Sequence, residues 1–238
     1  MPEHAVVSRE EWLKARVAHL AKEKELTRAR DALAQQRQAL PWVRIETNYV
    51  FDGPDGEVYF ADLFDGSSQL LVYHYMYGKD WQSGCKSCSF WADQYDSFIV
   101  HLRQRDANMV AISRGPIDAL EAFRKRMGWS FTWVSSARNS FNKDFAVSLD
   151  PEDIAKGGNN YNFATQRWEM DELPGLSTFY KDKDGAIFHH YSTYSRGLDM
   201  LNGAYHHMDV LPRCRDEGAL PYGMAWLKLK DEYYSAGA

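Results

Sequence analysis

Residues 70–88, LLVYHYMYGKDWQSGCKSC, decide the fold of this chain. The first seven of them form a nearly continuous apolar run, which is typical of a strand that is buried on both faces. A loop follows, and the stretch ends in a Cys-x-x-Cys motif at Cys85 and Cys88, where a helical pattern begins. The stretch therefore predicts a central strand, a loop and a helix that starts at two cysteines.

A second strand and a second helix follow this first pair. Five apolar side chains after the motif recur at the spacing of one helix face. They are Trp91, Tyr95, Phe98, Ile99 and Leu102. Residues 108–112 then predict a strand, and residues 117–127 predict a helix that ends at Gly128. Because a crossover helix makes the strands that it joins parallel, these elements predict a βαβ unit.

Two hairpins flank this unit. Asp-Gly turn signals lie at residues 52–56 and 182–185, each between two short apolar segments. The remaining predicted strands are residues 48–51, 57–60, 131–134, 176–180 and 186–191, and a last helix is predicted over residues 198–208. Hairpins add antiparallel strands to the parallel pair, so the chain predicts an α/β fold with a mixed central sheet.

The N-terminal 40 residues predict a helical arm. Ser8 and Glu11 have the spacing of a capping box, and good helix formers follow up to a proline. A six-residue step from Leu20 to Leu26 interrupts the seven-residue leucine spacing and rotates the apolar stripe by about 120°. We therefore predict an interruption near residue 22. Such an arm covers apolar surface either on the body of the protein or on a second copy in a homodimer.

The rest of the chain divides by composition. Residues 41–215 predict one domain, in which an insertion at about 135–171 is rich in Asn, Ser, Asp and Gly and lacks periodicity. Residues 216–238 are predicted to form a C-terminal tail. Whether the insertion covers the two cysteines decides between protein and small-molecule reactants.

Composition also excludes several classes of function. An apolar fraction of 45% and an aromatic fraction of 14% argue against a disordered chain. With 28 basic and 33 acidic residues, the net charge of −5 provides no basic footprint for nucleic acid or an anionic membrane. The sequence has no apolar run of the roughly 18 residues that span a membrane, and no secretory pattern at its start. We therefore expect a cytoplasmic protein without nucleic-acid or membrane partners.

The order of the predicted elements resembles the thioredoxin arrangement, in which a Cys-x-x-Cys helix follows the central strand. Pro174, two residues before a predicted strand, is similar in position to the cis-proline that faces the dithiol in thioredoxin-like proteins. Residues 51–66 resemble the N-terminal hairpin of peroxiredoxins. The resemblance implies a thioredoxin-like three-layer α/β/α fold with a mixed central sheet, an N-terminal helical arm and a β-hairpin extension.

Five short motifs resemble one uncharacterised thioredoxin-like family, whose members are often labelled dithiol-disulfide oxidoreductases. They are LPW at 40–42, YHYM at 73–76, C-x-x-CSF at 85–90, SRGP at 113–116 and YSTYSRG at 191–197. This resemblance covers nearly the whole chain and implies thiol–disulfide exchange. Because one fold supports many reactions, it implies the fold more firmly than the activity.

The cysteine pair points to redox chemistry on physical grounds as well. At a helix N-terminus, unpaired backbone N–H groups and the helix dipole stabilise a thiolate. A thiolate attacks a disulfide, and a second cysteine one turn away resolves the mixed disulfide that forms. The resemblance assigns Cys85 as the attacker and Cys88 as the resolver. The expected partners are a disulfide- or thiol-containing substrate and an unidentified reductant, with no cofactor.

Seven further side chains are candidates for supporting roles. They are Trp81, Tyr77 and Pro174 for substrate binding, His74 and Asp93 for proton transfer, and Arg114 and Arg196 for steadying a peroxide-derived anion. For the two aromatic residues, the alternative is ordinary core packing. For His74, it is a neutral buried histidine that is hydrogen-bonded within the strand.

Two alternatives to a disulfide oxidoreductase remain. A non-catalytic or zinc-binding module would use the cysteines as ligands, but structural zinc needs four ligands and Cys214 is the only other thiol, so we predict no metal site. A thiol peroxidase would use Cys85 alone. Peroxiredoxins carry a Pro and a Thr ahead of that cysteine, whereas the residues before Cys85 are Gln82, Ser83 and Gly84.

Overall fold

The computed structural model describes residues 4–157, 160–165 and 167–233, and the chain separates into two compact units, Met1–Pro41 and Trp42–Ala238. The first unit contains helix α1, Arg9–Gln38. Its capping box is confirmed, because the Glu11 N–H donates to Ser8 Oγ at 3.2 Å and the Ser8 N–H donates to the Glu11 carboxylate at 2.9 Å. The predicted interruption near residue 22 is wrong. That segment is Lys-Glu-Lys-Glu-Leu, which contains no helix breaker.

The second unit is built on a mixed sheet. Over the described residues its strands are β1 Val43–Arg44, β2 Val50–Gly53, β3 Gly56–Tyr59, β4 Gln69–His74, β5 Ala107–Ser113, β6 Thr132–Ser135, β7 Gly175–Lys181 and β8 Ile187–Tyr194. Their order across the sheet is β1-β8-β7-β4-β5-β6-β2-β3. Strand β4 pairs in parallel with β5 and antiparallel with β7, which confirms it as a central strand. Strands β5 and β6 are also parallel.

The helices of this unit are short. They are α2 Lys86–Ala92, α3 Tyr95–Arg103, α4 Ile117–Met127, α5 Phe141–Asp144, α6 Pro151–Ala155 and α7 Gly203–Met208, with 3-10 turns at Phe60–Phe64, Tyr161–Phe163, Ser195–Leu201 and Lys230–Glu232. The single helix predicted after the cysteines is two helices. The Gln94 N–H bonds to the Trp91 carbonyl three residues back, and this tighter turn separates α2 from α3.

Alternation along β4 divides the core into two layers, because successive side chains of a strand point to opposite faces. Tyr73 and Tyr75 pack with Cys88 and with the apolar faces of α2, α3 and α4. Leu70 and Val72 pack on the other face, with aromatic residues from α5 and the Phe60–Phe64 turn. The second unit thus has an α/β fold in which helices flank a mixed central sheet.

Residues after 215 pack against the same core. Leu227 and Leu229 are buried, and the rings of Trp226 and Phe90 lie 5.7 Å apart. Because Phe90 belongs to α2, the C-terminal segment lies against the helix that carries the two cysteines. Among the helices of the described residues, none combines the length and apolar character of a bilayer crossing.

Candidate active site

Cys85 is the N-cap residue of α2. Its backbone is extended, with φ −62° and ψ 124°, and its N–H donates to the Met76 carbonyl at 3.2 Å. The Cys88 N–H, one of the unpaired donors of the first helical turn, points to Cys85 Sγ at 3.5 Å. The Cys85 sulfur therefore lies at the N-terminus of a helix, as predicted.

Hydrogen bonds to the Cys85 carbonyl fix its position. Tyr75 Oη donates to this carbonyl at 3.1 Å, Ser89 Oγ donates at 3.0 Å and the Ser89 N–H donates at 2.9 Å. The preceding Gly84 allows Tyr75 to approach, since a Cβ atom there would lie 2.4 Å from Tyr75 Oη and 2.8 Å from the Phe123 ring. Sequence reasoning missed Tyr75, Ser89 and Gly84.

The two thiols differ in acidity. The hydrogen bond from the Cys88 thiol, joined by the backbone N–H groups of Cys88 and Ser87, lowers the pKa of Cys85 to about 6 against the opposing effect of burial. Burial raises the pKa of Cys88 well above its ordinary value, and the neighbouring Cys85 raises it further. At neutral pH this arrangement holds Cys85 as a thiolate and Cys88 as a thiol.

Cys88 lies beneath Cys85 in an aromatic environment. Its side chain is 2% exposed, whereas Cys85 is partly exposed. Tyr73, Tyr75 and Tyr95 are all buried near it, and burial, together with the Cys88 sulfur, raises the pKa of each phenol. Uncharged phenols therefore surround the candidate resolver.

His74 does not serve the dithiol. Alternation along β4 directs it to the face opposite Tyr73 and Tyr75, where its ring stacks on Phe141 at 5.7 Å. Its Nε2 shares a hydrogen bond with Ser177 Oγ at 2.8 Å, and burial lowers its pKa to about 3. The prediction of proton transfer by His74 is thus wrong, and the buried neutral histidine is the correct alternative.

Asp93 and Tyr77 have structural partners. The Asp93 carboxylate accepts a hydrogen bond from Trp129 Nε1–H at 2.8 Å and pairs with Lys230 Nζ at 3.1 Å. Its hydrogen bonds are therefore not directed to Cys88. Tyr77 is 3% exposed and packs on Phe123, which makes it a core residue and not a wall of an open groove. These contacts contradict the roles predicted for the two residues.

Trp81 lies in the loop before Cys85. It is partly exposed and packs against the same core as Cys85 and Cys88. Its indole also approaches Gly78, where a Cβ atom would meet the ring at 2.6 Å. Trp81 therefore stays a candidate for substrate contact.

Arg114 follows the end of β5, and its guanidinium is bonded to Glu172 and to residues of the insertion. Its Nε donates to the Glu172 carboxylate at 2.5 Å, and its two terminal nitrogens reach Asp150 at 3.0 Å and the Leu149 carbonyl at 3.3 Å. Its guanidinium is thus committed to the protein, which contradicts a role in steadying an anion. Arg196 is largely exposed and pairs with Asp199 at 3.1 Å.

Pro174 lies where β7 begins, but its preceding peptide bond is trans, since the described residues contain no cis peptide bond. The expectation of a cis-proline is wrong. Pairing of the preceding residues with the insertion, through the Leu173 N–H and the Val147 carbonyl at 2.8 Å, leads the chain into the proline in an extended form. The Pro174 carbonyl accepts Tyr161 Oη at 2.6 Å.

The third cysteine is separate from this site. Cys214 is exposed, and its thiol donates to Asp209 at 3.4 Å. Among residues 4–157, 160–165 and 167–233, no group of three or more His, Cys, Asp or Glu side chains is arranged to hold a metal ion.

Solved structures similar to this chain include peroxiredoxins. Peroxidoxin BcpB from Mycobacterium tuberculosis is 13% identical, with 68% of this chain and 93% of that chain covered and a TM-score of 0.47. Peroxiredoxin Q from Xanthomonas campestris is 12% identical, with 67% and 90% covered and a TM-score of 0.44. The mitochondrial 2-Cys peroxiredoxin from Plasmodium falciparum is 15% identical, with 69% and 92% covered and a TM-score of 0.42.

The curated proteins contain no match to this sequence. A family model described as "Bacterial protein of unknown function (DUF899)" matches residues 1–233, and the chain belongs to that family.

Proposed function

We propose that this protein is a thiol–disulfide oxidoreductase in which Cys85 attacks and Cys88 resolves. The observation that carries the proposal is the pair itself. The Cys85 sulfur, at the start of α2, accepts the Cys88 N–H at 3.5 Å and has its pKa lowered to about 6, while Cys88 stays protonated one turn away. A partly exposed thiolate beside a buried thiol is an arrangement that suits two-step disulfide exchange.

The reaction transfers two electrons. The Cys85 thiolate attacks one sulfur of a substrate disulfide, and the other sulfur leaves as a thiolate that takes a proton from solvent. Cys88 then loses its proton and attacks Cys85 Sγ, which releases the second substrate thiol and leaves a Cys85–Cys88 disulfide. A dithiol reductant returns the protein to its starting state. We propose a cytoplasmic setting, where such reductants keep exposed thiols such as Cys214 reduced.

Disulfides are favoured over peroxides as the oxidant. A peroxidase would need a cation to stabilise the developing charge beside Cys85. The guanidinium of Arg114 is bonded to Glu172 and Asp150, so that candidate is committed elsewhere.

Alkylation tests the proposal. A Cys214→Ser protein, which lacks the exposed third thiol, is treated with iodoacetamide from about pH 5 to about pH 9, and labelling of each cysteine is followed by mass spectrometry. We expect Cys85 to be labelled with an apparent pKa near 6 and Cys88 to stay unlabelled. Cys85→Ser/Cys214→Ser is the matched control for labelling of the buried thiol.

Three outcomes would contradict the proposal. Labelling of Cys85 with the free-thiol pKa of about 8.5 would remove its basis. An unreactive pair with one equivalent of bound zinc would indicate a metal-binding module instead. Rapid formation of sulfenic acid at Cys85 with hydrogen peroxide, together with no reaction with disulfides, would indicate a thiol peroxidase.

A further inference from the structure

The backbone of residues 171–174 lies near the loop that leads to the dithiol. It leads into β7, whose first residue pairs with the last residue of β4, two positions before Met76. Met76 accepts the Cys85 N–H at 3.2 Å. Asp171 lies against the loop that leads to the dithiol, because a Cβ atom on Gly78 would meet its carboxylate at 2.9 Å. The loop that precedes Cys85 therefore has this backbone as a neighbour.

An extended polypeptide binds to such a backbone by adding main-chain hydrogen bonds, as an extra strand does. In this protein the insertion already makes those bonds. The Leu149 N–H donates to the Asp171 carbonyl at 2.9 Å, and the Leu173 N–H donates to the Val147 carbonyl at 2.8 Å. One of this chain's own segments therefore takes the position of a bound peptide.

Tyr161, also in the insertion, binds the carbonyl of Pro174. It is 1% exposed, and its hydroxyl donates to the Pro174 carbonyl at 2.6 Å while it accepts the Ser195 N–H at 2.8 Å. Burial raises the pKa of Tyr161 against the lowering effect of the Ser195 N–H, so its hydroxyl remains a donor.

An ion pair holds the insertion in this position. Arg114, 8% exposed, binds the Glu172 carboxylate at 2.5 Å. Its Nη2 donates to the carbonyls of Leu149 and Asp171, each at 3.3 Å. The guanidinium thus joins the two paired segments to the end of β5, and the pairing is part of the folded body.

From these contacts we infer that the substrate is a small disulfide and not an extended polypeptide. The inference rests on the proposed function and names its substrate class. A small disulfide needs only an approach to the partly exposed Cys85 sulfur, whereas a polypeptide also needs main-chain partners that the insertion occupies. The substrate accepts two electrons and leaves as two thiols, and both protein sulfurs are oxidised.

Two disulfides with matched chemistry test this inference. One is the disulfide of N-acetylcysteinamide. The other is a dimer of a ten-residue peptide linked through a central cysteine, whose thiol has the same chemical neighbours. Each is mixed with reduced Cys214→Ser protein, and loss of free Cys85 is followed by acid quench and mass spectrometry. The rate constant of each disulfide with dithiothreitol, measured without the protein, corrects for the difference in their intrinsic reactivity. We expect the small disulfide to react roughly tenfold faster, because the insertion obstructs the longer chain and leaves it no main-chain bonds to gain.

Tyr161→Phe refines the test. It keeps the ring and removes the hydroxyl that binds the Pro174 carbonyl and the Ser195 N–H. We expect it to shift the ratio of the two rate constants towards the peptide by roughly threefold, since one carbonyl becomes available. Tyr233→Phe is the matched control. Its hydroxyl accepts the Lys228 N–H at 3.0 Å and makes no bond to residues 171–174, so the ratio should not change.

The outcomes separate the two claims. A peptide dimer that reacts as fast as the small disulfide overturns the substrate class but leaves the oxidoreductase standing. An unchanged ratio in Tyr161→Phe overturns the assignment of that residue as a barrier. If neither disulfide reacts at Cys85, the proposed function fails and this inference fails with it.

Discussion

Cys85 and Cys88 are three residues apart and have opposite environments. Cys85 is partly exposed, and its sulfur receives hydrogen bonds that lower its pKa, while Cys88 is buried among phenols and has a raised pKa. Each thiol depends on the other. The hydrogen bond from Cys88 is the largest stabilising contribution to the Cys85 thiolate.

Removal of that donor should weaken the thiolate. In Cys88→Ala the thiol hydrogen bond is lost, and we expect the apparent pKa of Cys85 to rise from about 6 to about 7, because one such bond contributes about 1–2 kcal/mol. Cys88→Ser keeps a hydroxyl donor and should stay closer to the wild type. The pH profile of alkylation measures both variants, and identical profiles for the two would contradict this account.

His74 shows how a residue in the right strand can face the wrong way for catalysis. Its Nε2 meets Ser177 Oγ at 2.8 Å, and Ser177 Oγ meets Ser192 Oγ at 2.7 Å. His189 Nε2 contacts the same Ser192 hydroxyl at 2.8 Å. This buried chain of polar groups links β4, β7 and β8, and it requires a neutral His74.

Acid should destabilise the protein through His74. Its pKa is about 3 in the folded state and about 6.5 when unfolded, so the unfolded state binds a proton first as the pH falls below about 6.5. The stabilising contribution is complete above that pH, and about 2 kcal/mol of it is lost at about pH 5. His74→Asn should flatten the pH dependence measured by urea unfolding, whereas the exposed control His101→Asn should not. Parallel curves for wild type and His74→Asn would refute this linkage.

At the scale of elements, the start of α2 depends on the close approach of the Tyr75 hydroxyl to the backbone of Gly84 and Cys85. Gly84 lets Tyr75 Oη reach the Cys85 carbonyl at 3.1 Å, and no side chain would fit there. The Cys-x-x-Cys spacing predicted a helix start at this point. It contained no information about the tyrosine that holds the start in place, because that contact joins β4 to α2 across the loop.

The ion pair between Arg114, which follows β5, and Glu172 should be important for stability. Replacing Arg114 by Met leaves the Glu172 carboxylate buried without its cation, and removal of one partner of a buried pair costs about 3–5 kcal/mol. Arg114→Met should therefore lower the free energy of unfolding in urea by that amount. Burial already raises the pKa of Glu172 to about 7, and adding Glu172→Leu removes the buried carboxyl that Arg114→Met leaves without its partner, which should restore a large part of the loss. A loss below about 1 kcal/mol in the single variant would contradict a stabilising role for this ion pair.

At the scale of the whole molecule, periodicity predicted the regular elements. The apolar run of β4, the helix that ends at Gly128 and the hairpin of β7 and β8 all agree with the structure. The insertion could not be predicted, because α5 and α6 have four and five residues and show no period. Its placement depends on Arg114 and Glu172, which lie 58 positions apart in the sequence.

The candidate site was predictable to a similar extent. The spacing of Cys85 and Cys88 indicated a helix start and redox chemistry. Strict alternation along β4 would have placed Tyr75 on the dithiol face and His74 on the other. The partners of Asp93 and Arg114 come from distant segments, so no local pattern could have excluded their predicted roles.

The C-terminal segment should stabilise the helix that carries the dithiol. Trp226 packs on Phe90 and donates to Glu217 at 2.7 Å, so Trp226→Ala removes both a ring contact and a hydrogen bond. We expect a loss of about 2–3 kcal/mol in the free energy of urea unfolding. Tyr222→Ala, at a side chain that is 60% exposed, should change it by less than about 0.5 kcal/mol. Equal losses in both variants would contradict a specific role for Trp226.

The most direct test of the central claim is a single turnover with a small disulfide at about pH 7, followed by mass spectrometry under acid quench. The Cys88→Ser/Cys214→Ser protein should accumulate one mixed disulfide, on Cys85, because it lacks the resolver. The Cys214→Ser protein should instead end with a Cys85–Cys88 disulfide and two released substrate thiols. A mixed disulfide on Cys88, or no adduct on Cys85 in either protein, would contradict the account.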